Sequence, residues 1–326
     1  MKALLLDEPG TPSTLRLGEV SDPVPGPGEV RVRVRACGLN PVDVGTAANG
    51  NPAWSWPHIL GLDAAGEIDA IGEGVNGFTV GQRVVFHGDL RRNGGLAEFV
   101  VTRDDVVAMI PDDVSYAQAA ALPCAGMTAY QAVYRRLHLS AGQTILITGG
   151  AGGVGGFAIQ LAHAVGARVL TTCSPTARDR VLALGADEAI DYSSGDVPAR
   201  VRELTSGRGV DAVIDTRSSE SATANLGLLV HGGGLVFIAG RPDLGAVVPF
   251  TIAPSVHEIA LGAAHSFGDA GARKDLAIML EDLLSRVAAG TLNPMIEREF
   301  VLGEAPEALE SIAAGHSHGK SVVIVA

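Results

Sequence analysis

Residues 144–172 read TILITGGAGGVGGFAIQLAHAVGARVLTT, and they constrain the fold more than any other stretch. A β-branched run, Thr144 to Thr148, meets a glycine cluster. A helix-like apolar segment follows, and then a second apolar run, Ala167 to Thr172. Inside the cluster, Gly150, Gly152 and Gly155 make G-x-G-x-x-G. Alone the motif is weak. In the order strand, glycines, helix, strand it predicts backbone N–H groups at a helix N-terminus facing a pyrophosphate. The plain alternative is a glycine-rich turn that binds nothing.

The rest of the chain fits around that unit. Strand-like runs at Thr144–Thr148, Arg168–Thr172, Glu188–Asp191, Ala212–Asp215, Gly234–Ala239 and Glu258–Leu261 alternate with helix-length segments. The segments are Val154–Val165, Pro175–Leu184, Val197–Thr205 and Ser219–Leu229. Such alternation predicts an α/β fold with a doubly wound parallel sheet of about six strands. Residues 1–120 have a different texture. EVRVRVR, from Glu29 to Arg35, alternates strictly, and turn signals such as Gly72-Glu73-Gly74 and Asn93-Gly94-Gly95 separate short β-like runs. That pattern predicts a small β-barrel. After a helix over Leu276–Ala289, the run from Lys320 to Val325 reads as a strand returning to the barrel. The expected division is residues 1–124 with 262–326 in a discontinuous catalytic domain, and 125–261 in the nucleotide-binding domain.

The formal net charge of −12 argues against a nucleic-acid surface. The N-terminal apolar run, Ala3 to Leu6, is too short for a signal peptide, and no apolar run is long enough to span a membrane. The expectation is a cytoplasmic protein. Cys37, Cys124 and Cys173 are scattered and form no C-x-x-C pair, which excludes a four-cysteine structural zinc lobe.

Five landmarks carry a family resemblance: Cys37 to Asp43 (CGLNPVD), Gly61 to Gly66 (GLDAAG), Gly126 to Tyr130 (GMTAY), the glycine cluster, and Gly319-Lys320. On these the chain resembles the medium-chain dehydrogenase/reductase superfamily over essentially its whole length, and within it the zinc-free quinone oxidoreductase branch. The resemblance implies a GroES-like β-barrel, a Rossmann domain and hydride transfer from NADPH. Zinc-dependent members place ligands where this chain has Asn40, Leu62 and Cys124. Asn and Leu cannot complete a catalytic zinc site with one cysteine, so no metal is expected. Asp63 stands where zinc members have a glutamate. It is expected to be structural, with a barrel arginine as its partner.

The cofactor contacts divide into two groups. The end of the second strand, Thr171 to Arg178, contains no acid to hydrogen-bond a ribose 2′-hydroxyl or repel a 2′-phosphate. Ser174 and Arg178 offer a hydrogen bond and a charge there, and Tyr192 matches a family tyrosine that reaches the same phosphate. NADPH is therefore expected over NADH. The resemblance further implies contacts from Thr128, the turn residues Gly150, Gly152, Gly153, Val154 and Gly155, then Ile238 and Gly240, with Phe267 near the nicotinamide and Lys320 near the ribose or phosphates. Ordinary alternatives stand beside these: Arg178 as a solvated helix residue, Thr128 as a helix cap, Lys320 as a surface charge.

For the chemistry, Asn40 is the expected hydrogen-bond donor to the substrate carbonyl, with Asp43 orienting it. Their plain roles are turn residue and helix cap. Trp54 and Trp56 read equally well as a flat substrate wall or as barrel cover, and no general acid stands out. The substrate expected is a quinone or an α,β-unsaturated carbonyl. The alternatives are an enoyl reductase acting on acyl thioesters, for which Arg91 and Arg92 at the site mouth would matter, and an NADPH-binding protein without turnover. A homodimer through an edge strand near residues 257–262 is expected from the same resemblance.

Overall fold

The computed structural model describes residues 1–193, 195–315 and 318–325. The chain forms two compact units, Met1–Met127 with Leu261–Ala326, and Thr128–Ala260. No helix among the described residues is long and apolar enough to cross a membrane.

The first unit is a GroES-like barrel built around a seven-stranded sheet, and its spine is the alternating run Glu29–Gly38. Val30, Val32 and Val34 are completely buried, while Arg31 and Arg33 turn outward to Asp69 and Arg35 to Glu67. Strand periodicity of two is the cause: successive side chains must leave on opposite faces. Asp63–Ile71 and Phe99–Arg103 pair antiparallel with this strand, and Arg83–His87 pairs with Asp63–Ile71. The C-terminal strand Lys320–Ile324 closes antiparallel on residues 36–38. Leu4, Leu6, Ile59 and Leu96 fill the core beneath, each contributing about 1.5–3 kcal/mol by burial. The register sets Asp63 opposite His87 on one side and Gly38 on the other. It also brings Lys320, two residues before Val322, toward Asn40, two residues after Gly38. The polar cluster described below follows from this pairing.

The second unit is a six-stranded parallel sheet in the order Glu188–Asp191, Arg168–Cys173, Thr144–Ile147, Val210–Asp215, Leu229–Phe237, Ser255–Glu258. The strands Thr144–Ile147 and Val210–Asp215 at its centre are almost entirely buried, as parallel strands covered on both faces are. Leu146, Val213 and Leu235 are fully buried in one core cluster. The helix Gly153–Val165 ends at Gly166, whose left-handed φ of 84° is the usual glycine stop. Strand order reverses beside Thr144–Ile147, so a crevice opens at the carboxyl ends there. Boundaries differ from expectation at the last two strands: the fifth spans Leu229–Phe237 rather than Gly234–Ala239. The last strand is Ser255–Glu258, ending before Ile259 and Leu261, which turn inward and are buried instead.

Candidate active site

The glycine turn is shaped by close contacts. A Cβ on Gly150 would lie 2.1 Å from Thr171 Oγ1, and one on Gly155 would lie 2.3 Å from the Gly149 carbonyl oxygen. Neither position accepts a side chain. Gly152 is different: a Cβ there meets only the Gly149 oxygen, at 3.4 Å. Its bareness serves no packing need, so it leaves room for an incoming group. Gly152 is the N-cap of helix Gly153–Val165, and no side chain caps it. The first-turn N–H groups, including those of Gly153, Val154 and Gly155, are therefore the helix's anion-binding end.

At the strand reversal a crevice of about 330 Å³ is lined by Thr148, Gly149, Thr172, Tyr192, Arg217 and Ser221, among others. Tyr192 is half exposed there. The structure does not gather all three residues expected around a 2′-phosphate. Ser174 Oγ shares a hydrogen bond with Thr176 Oγ1. Arg178 donates from Nη1 to the Ala189 carbonyl at 2.7 Å and lines a separate depression with Glu188, Asp191, Asp196 and Glu203. That bond ties its helix to the adjoining strand, apart from the crevice that Tyr192 lines. Thr128 is buried. Ile238 donates its N–H to the Asp215 carbonyl, and a Cβ on Gly240 would strike Ser219 N at 2.5 Å, so this glycine lets the strand end pack on the helix Ser219–Leu226.

The first unit holds a buried polar network. Asn40 Nδ2 donates to Asp63 Oδ2 at 2.8 Å and to the Gly38 carbonyl at 3.3 Å. Asn40 Oδ1 accepts from the Lys320 ammonium at 2.6 Å, and that ammonium also reaches the Leu39 carbonyl at 3.0 Å. Asp43 Oδ2 accepts from the Asn40 backbone N–H at 2.9 Å. Asp63 Oδ1 lies 2.7 Å from His87 Nδ1, and Oδ2 also accepts from the Cys124 backbone N–H at 3.0 Å. Asn40, Asp43, Asp63, His87 and Lys320 are all buried.

Three expectations are corrected here. Asn40 holds no spare donor for a substrate carbonyl, because both amide hydrogens are used inside the network. Lys320 is neither a surface charge nor a phosphate ligand, since its ammonium is sealed against Asn40 and Leu39. Asp63 pairs with His87 and Asn40 rather than with an arginine. Phe267, expected beside the nicotinamide, is a largely exposed side chain at the end of the short helix Ala263–Ser266 in the first unit. Trp54 covers the barrel: it is buried, stacks on His58 at 3.8 Å and donates Nε1–H to the Leu90 carbonyl, while Trp56 is exposed.

Burial, reinforced by the nearby Asp63 charge, pushes the Asp43 carboxyl up to about 7. Unfolded, the same group titrates near ~3.9. Its folded pKa is raised, so its contribution to stability is complete below about pH 4 and is lost as pH rises through about 7. Asp43→Asn is therefore expected to flatten the fall in stability between pH 5 and pH 8. Urea midpoints of both proteins at the two pH values check this; parallel curves would contradict it.

The family resemblance raises zinc, and the residues can be tested for it. Leu62 offers no lone pair, and Asn40 is bonded to an ammonium. The pattern overlooked another trio: ligand atoms of Asp63, His87 and Cys124 lie within 4.8 Å of one another. Their chemistry suits zinc, but their arrangement does not. Two ligands on one tetrahedral zinc stand roughly 3.3 Å apart, whereas Asp63 Oδ1 and His87 Nδ1 are at hydrogen-bond distance, 2.7 Å. If His87 offered Nε2 instead, Asp63 Oδ1 would be spent orienting it, and Oδ2 already accepts from Asn40 Nδ2 and the Cys124 N–H. With Nδ1 turned to Asp63, any proton exchange at His87 runs through Nε2.

A doubly wound sheet with this glycine turn, on one chain with a GroES-like barrel, is the architecture of a dinucleotide-binding protein. Comparison with known proteins agrees. Residues 26–112 match the alcohol dehydrogenase GroES-like domain, and residues 184–323 match the family model described as zinc-binding dehydrogenase. A quinone oxidoreductase of Pseudomonas aeruginosa is 33% identical, with 97% of each chain covered. Among solved structures, the quinone oxidoreductase of Pseudomonas syringae pv. Tomato DC3000 aligns with a TM-score of 0.89 at 31% identity, covering 99% of both chains. A mycobacterial protein complexed with NADPH aligns with a TM-score of 0.87 at 28% identity, covering 100% of both. The chain belongs to the medium-chain dehydrogenase/reductase superfamily, in its quinone oxidoreductase-like branch.

Proposed function

We propose that this oxidoreductase is NADPH-dependent and zinc-independent, and that it delivers hydride to a quinone or an α,β-unsaturated carbonyl. The observation that carries the reading is the buried network. Where zinc-dependent relatives place ligands, Asn40 is held between the Lys320 ammonium and the Asp63 carboxylate. A fixed protein cation thus balances carboxylate charge in that core. Bound NADPH supplies the hydride; the chain supplies position and charge. Asn40 and Asp43 act as positioning residues in this reading: Asp43 holds the Asn40 backbone, and Asn40 joins Lys320 to Asp63. For the cofactor, the missing acid between Thr171 and Arg178 and the exposed Tyr192 support a phosphorylated ribose.

Acyl thioesters are the weaker substrates. Arg91 is ion-paired with Asp89 and Arg92 with Glu29, each at 2.6 Å, so neither is a ready phosphate clamp. The test is steady-state oxidation of NADPH and NADH with a panel of quinones, enones, enoyl thioesters and primary alcohols. Turnover is expected with quinones or enones and NADPH. Turnover confined to alcohols or thioesters would overturn the substrate class. Tight NADPH binding without any turnover would make the protein a binder.

We also infer a cytoplasmic homodimer. Among the described residues the edge strand Ser255–Glu258 pairs on one side only, with Leu229–Phe237, and the preceding segment exposes Val248 and Phe250. Unpaired strand edges invite a second copy. Light scattering is expected to give twice the chain mass, and Val256→Lys to give the monomer; a wild-type monomer would contradict the inference.

A further inference from the structure

Arg178, the arginine expected at the phosphate, is bonded to Ala189 and lines a depression apart from the crevice at the strand reversal. The crevice at the strand reversal supplies another. Arg217 lies two residues beyond the strand Val210–Asp215, in the loop before helix Ser219–Leu226. Its backbone is fixed: Asp215 Oδ1 accepts the Arg217 N–H at 2.9 Å. Asp215 is itself buried and gripped by Ser221 Oγ and Asn225 Nδ2. The side chain then runs out over the Tyr192 ring, with the guanidinium carbon 5.7 Å from the ring centroid. Among the described residues the Arg217 guanidinium makes no ion pair. In a chain of net charge −12, this arginine rests on an aromatic face without a carboxylate partner among the described residues.

We propose that Arg217, stacked on Tyr192, is the specificity-determining residue that selects a phosphomonoester on the adenosine ribose. A guanidinium fork matches phosphate oxygens in pairs, and its contact with the ring face orients it before the ligand arrives. The Tyr192 hydroxyl provides a further donor on the same wall. The assignment rests on the NADPH reading above and deepens it, since it names the residue that carries the preference and excludes Arg178 from that role.

Calorimetric titration of the wild type, Arg217→Ala, Arg217→Lys and Arg178→Ala with NADPH, NADH, adenosine 2′,5′-bisphosphate and AMP tests it. Arg217→Ala is expected to weaken NADPH and the bisphosphate by about ten- to a hundred-fold, the range for losing a charged hydrogen bond. NADH and AMP are expected to change by less than about two-fold, since they carry no 2′-phosphate. Arg217→Lys is expected to fall between, because it keeps charge but not the fork. Arg178→Ala is expected to leave the NADPH-to-NADH ratio unchanged. Equal losses for both cofactors in Arg217→Ala, or a ratio that collapses in Arg178→Ala instead, would overturn the assignment. A wild type without preference for NADPH would sink the cofactor reading itself and this assignment with it.

Discussion

Lys320→Met is expected to destabilise the protein by about 3–5 kcal/mol, the usual consequence of removing one partner from a buried charge cluster. Lys320 is 3% exposed, and its ammonium serves Asn40 Oδ1 and the Leu39 carbonyl. It is the cation that faces Asp63 and Asp43 in the same core; its charge draws the Asp43 carboxyl downward against burial. Methionine keeps the length and most of the volume, so cavity formation is a minor part of the loss. Without the ammonium, the Asn40 carbonyl oxygen loses its donor and the carboxylates lose their counter-charge. The double variant Lys320→Met with Asp43→Asn is expected to lose less than the sum of the single effects, because one of the stranded carboxylates is gone. Urea denaturation of the four proteins reads the coupling. A Lys320→Met protein as stable as the wild type would mean that the network is not held by charge.

The second large effect separates two glycines of one motif. Gly155→Ala is expected to unfold the nucleotide-binding unit or abolish its cofactor binding, since the new methyl would stand 2.3 Å from the Gly149 carbonyl oxygen and 2.8 Å from Gly150 Cα. Both obstacles are backbone, so nothing can swing aside, and overpacking of this kind costs about 1–3 kcal/mol or more. Gly152→Ala meets only a 3.4 Å contact and is expected to fold normally. Its effect falls on the ligand: a methyl at the helix entry intrudes where a pyrophosphate would approach the N–H groups. Circular dichroism together with NADPH titration distinguishes them, one variant losing structure and binding together and the other losing binding alone. A Gly152→Ala protein that binds NADPH as the wild type does would remove the pyrophosphate from this turn.

The sequence revealed more of the fold than of the site. Strict alternation from Glu29 to Arg35 and the strand–glycine–helix–strand run at residues 144–172 are local signals, and the barrel spine and the central βαβ unit formed where they pointed. The last parallel strand was misread because Ile259 and Leu261 are as apolar as strand residues but are buried beyond its end. The polar network was not legible, since its members come from positions 40, 43, 63, 87, 124 and 320 and meet only through register. Asp63 and His87 are opposite each other across two strands, a relation that spacing along the chain cannot disclose. Likewise, Asn40 read as a free donor because its consumer, Asp63, and its own donor, Lys320, are 23 and 280 residues away. Arg178 suited a phosphate by position, but the carbonyl it reaches belongs to a later segment. Arg217 carried no motif at all; only the fold places it over Tyr192.

Metal-free turnover is the most direct test. Protein dialysed against a strong chelator and shown by elemental analysis to be free of zinc is assayed for NADPH oxidation with a quinone acceptor, before and after zinc is returned. Full activity before zinc, unchanged after it, is the predicted result. Activity that appears only when zinc is restored, with about one ion bound per chain, would contradict the account.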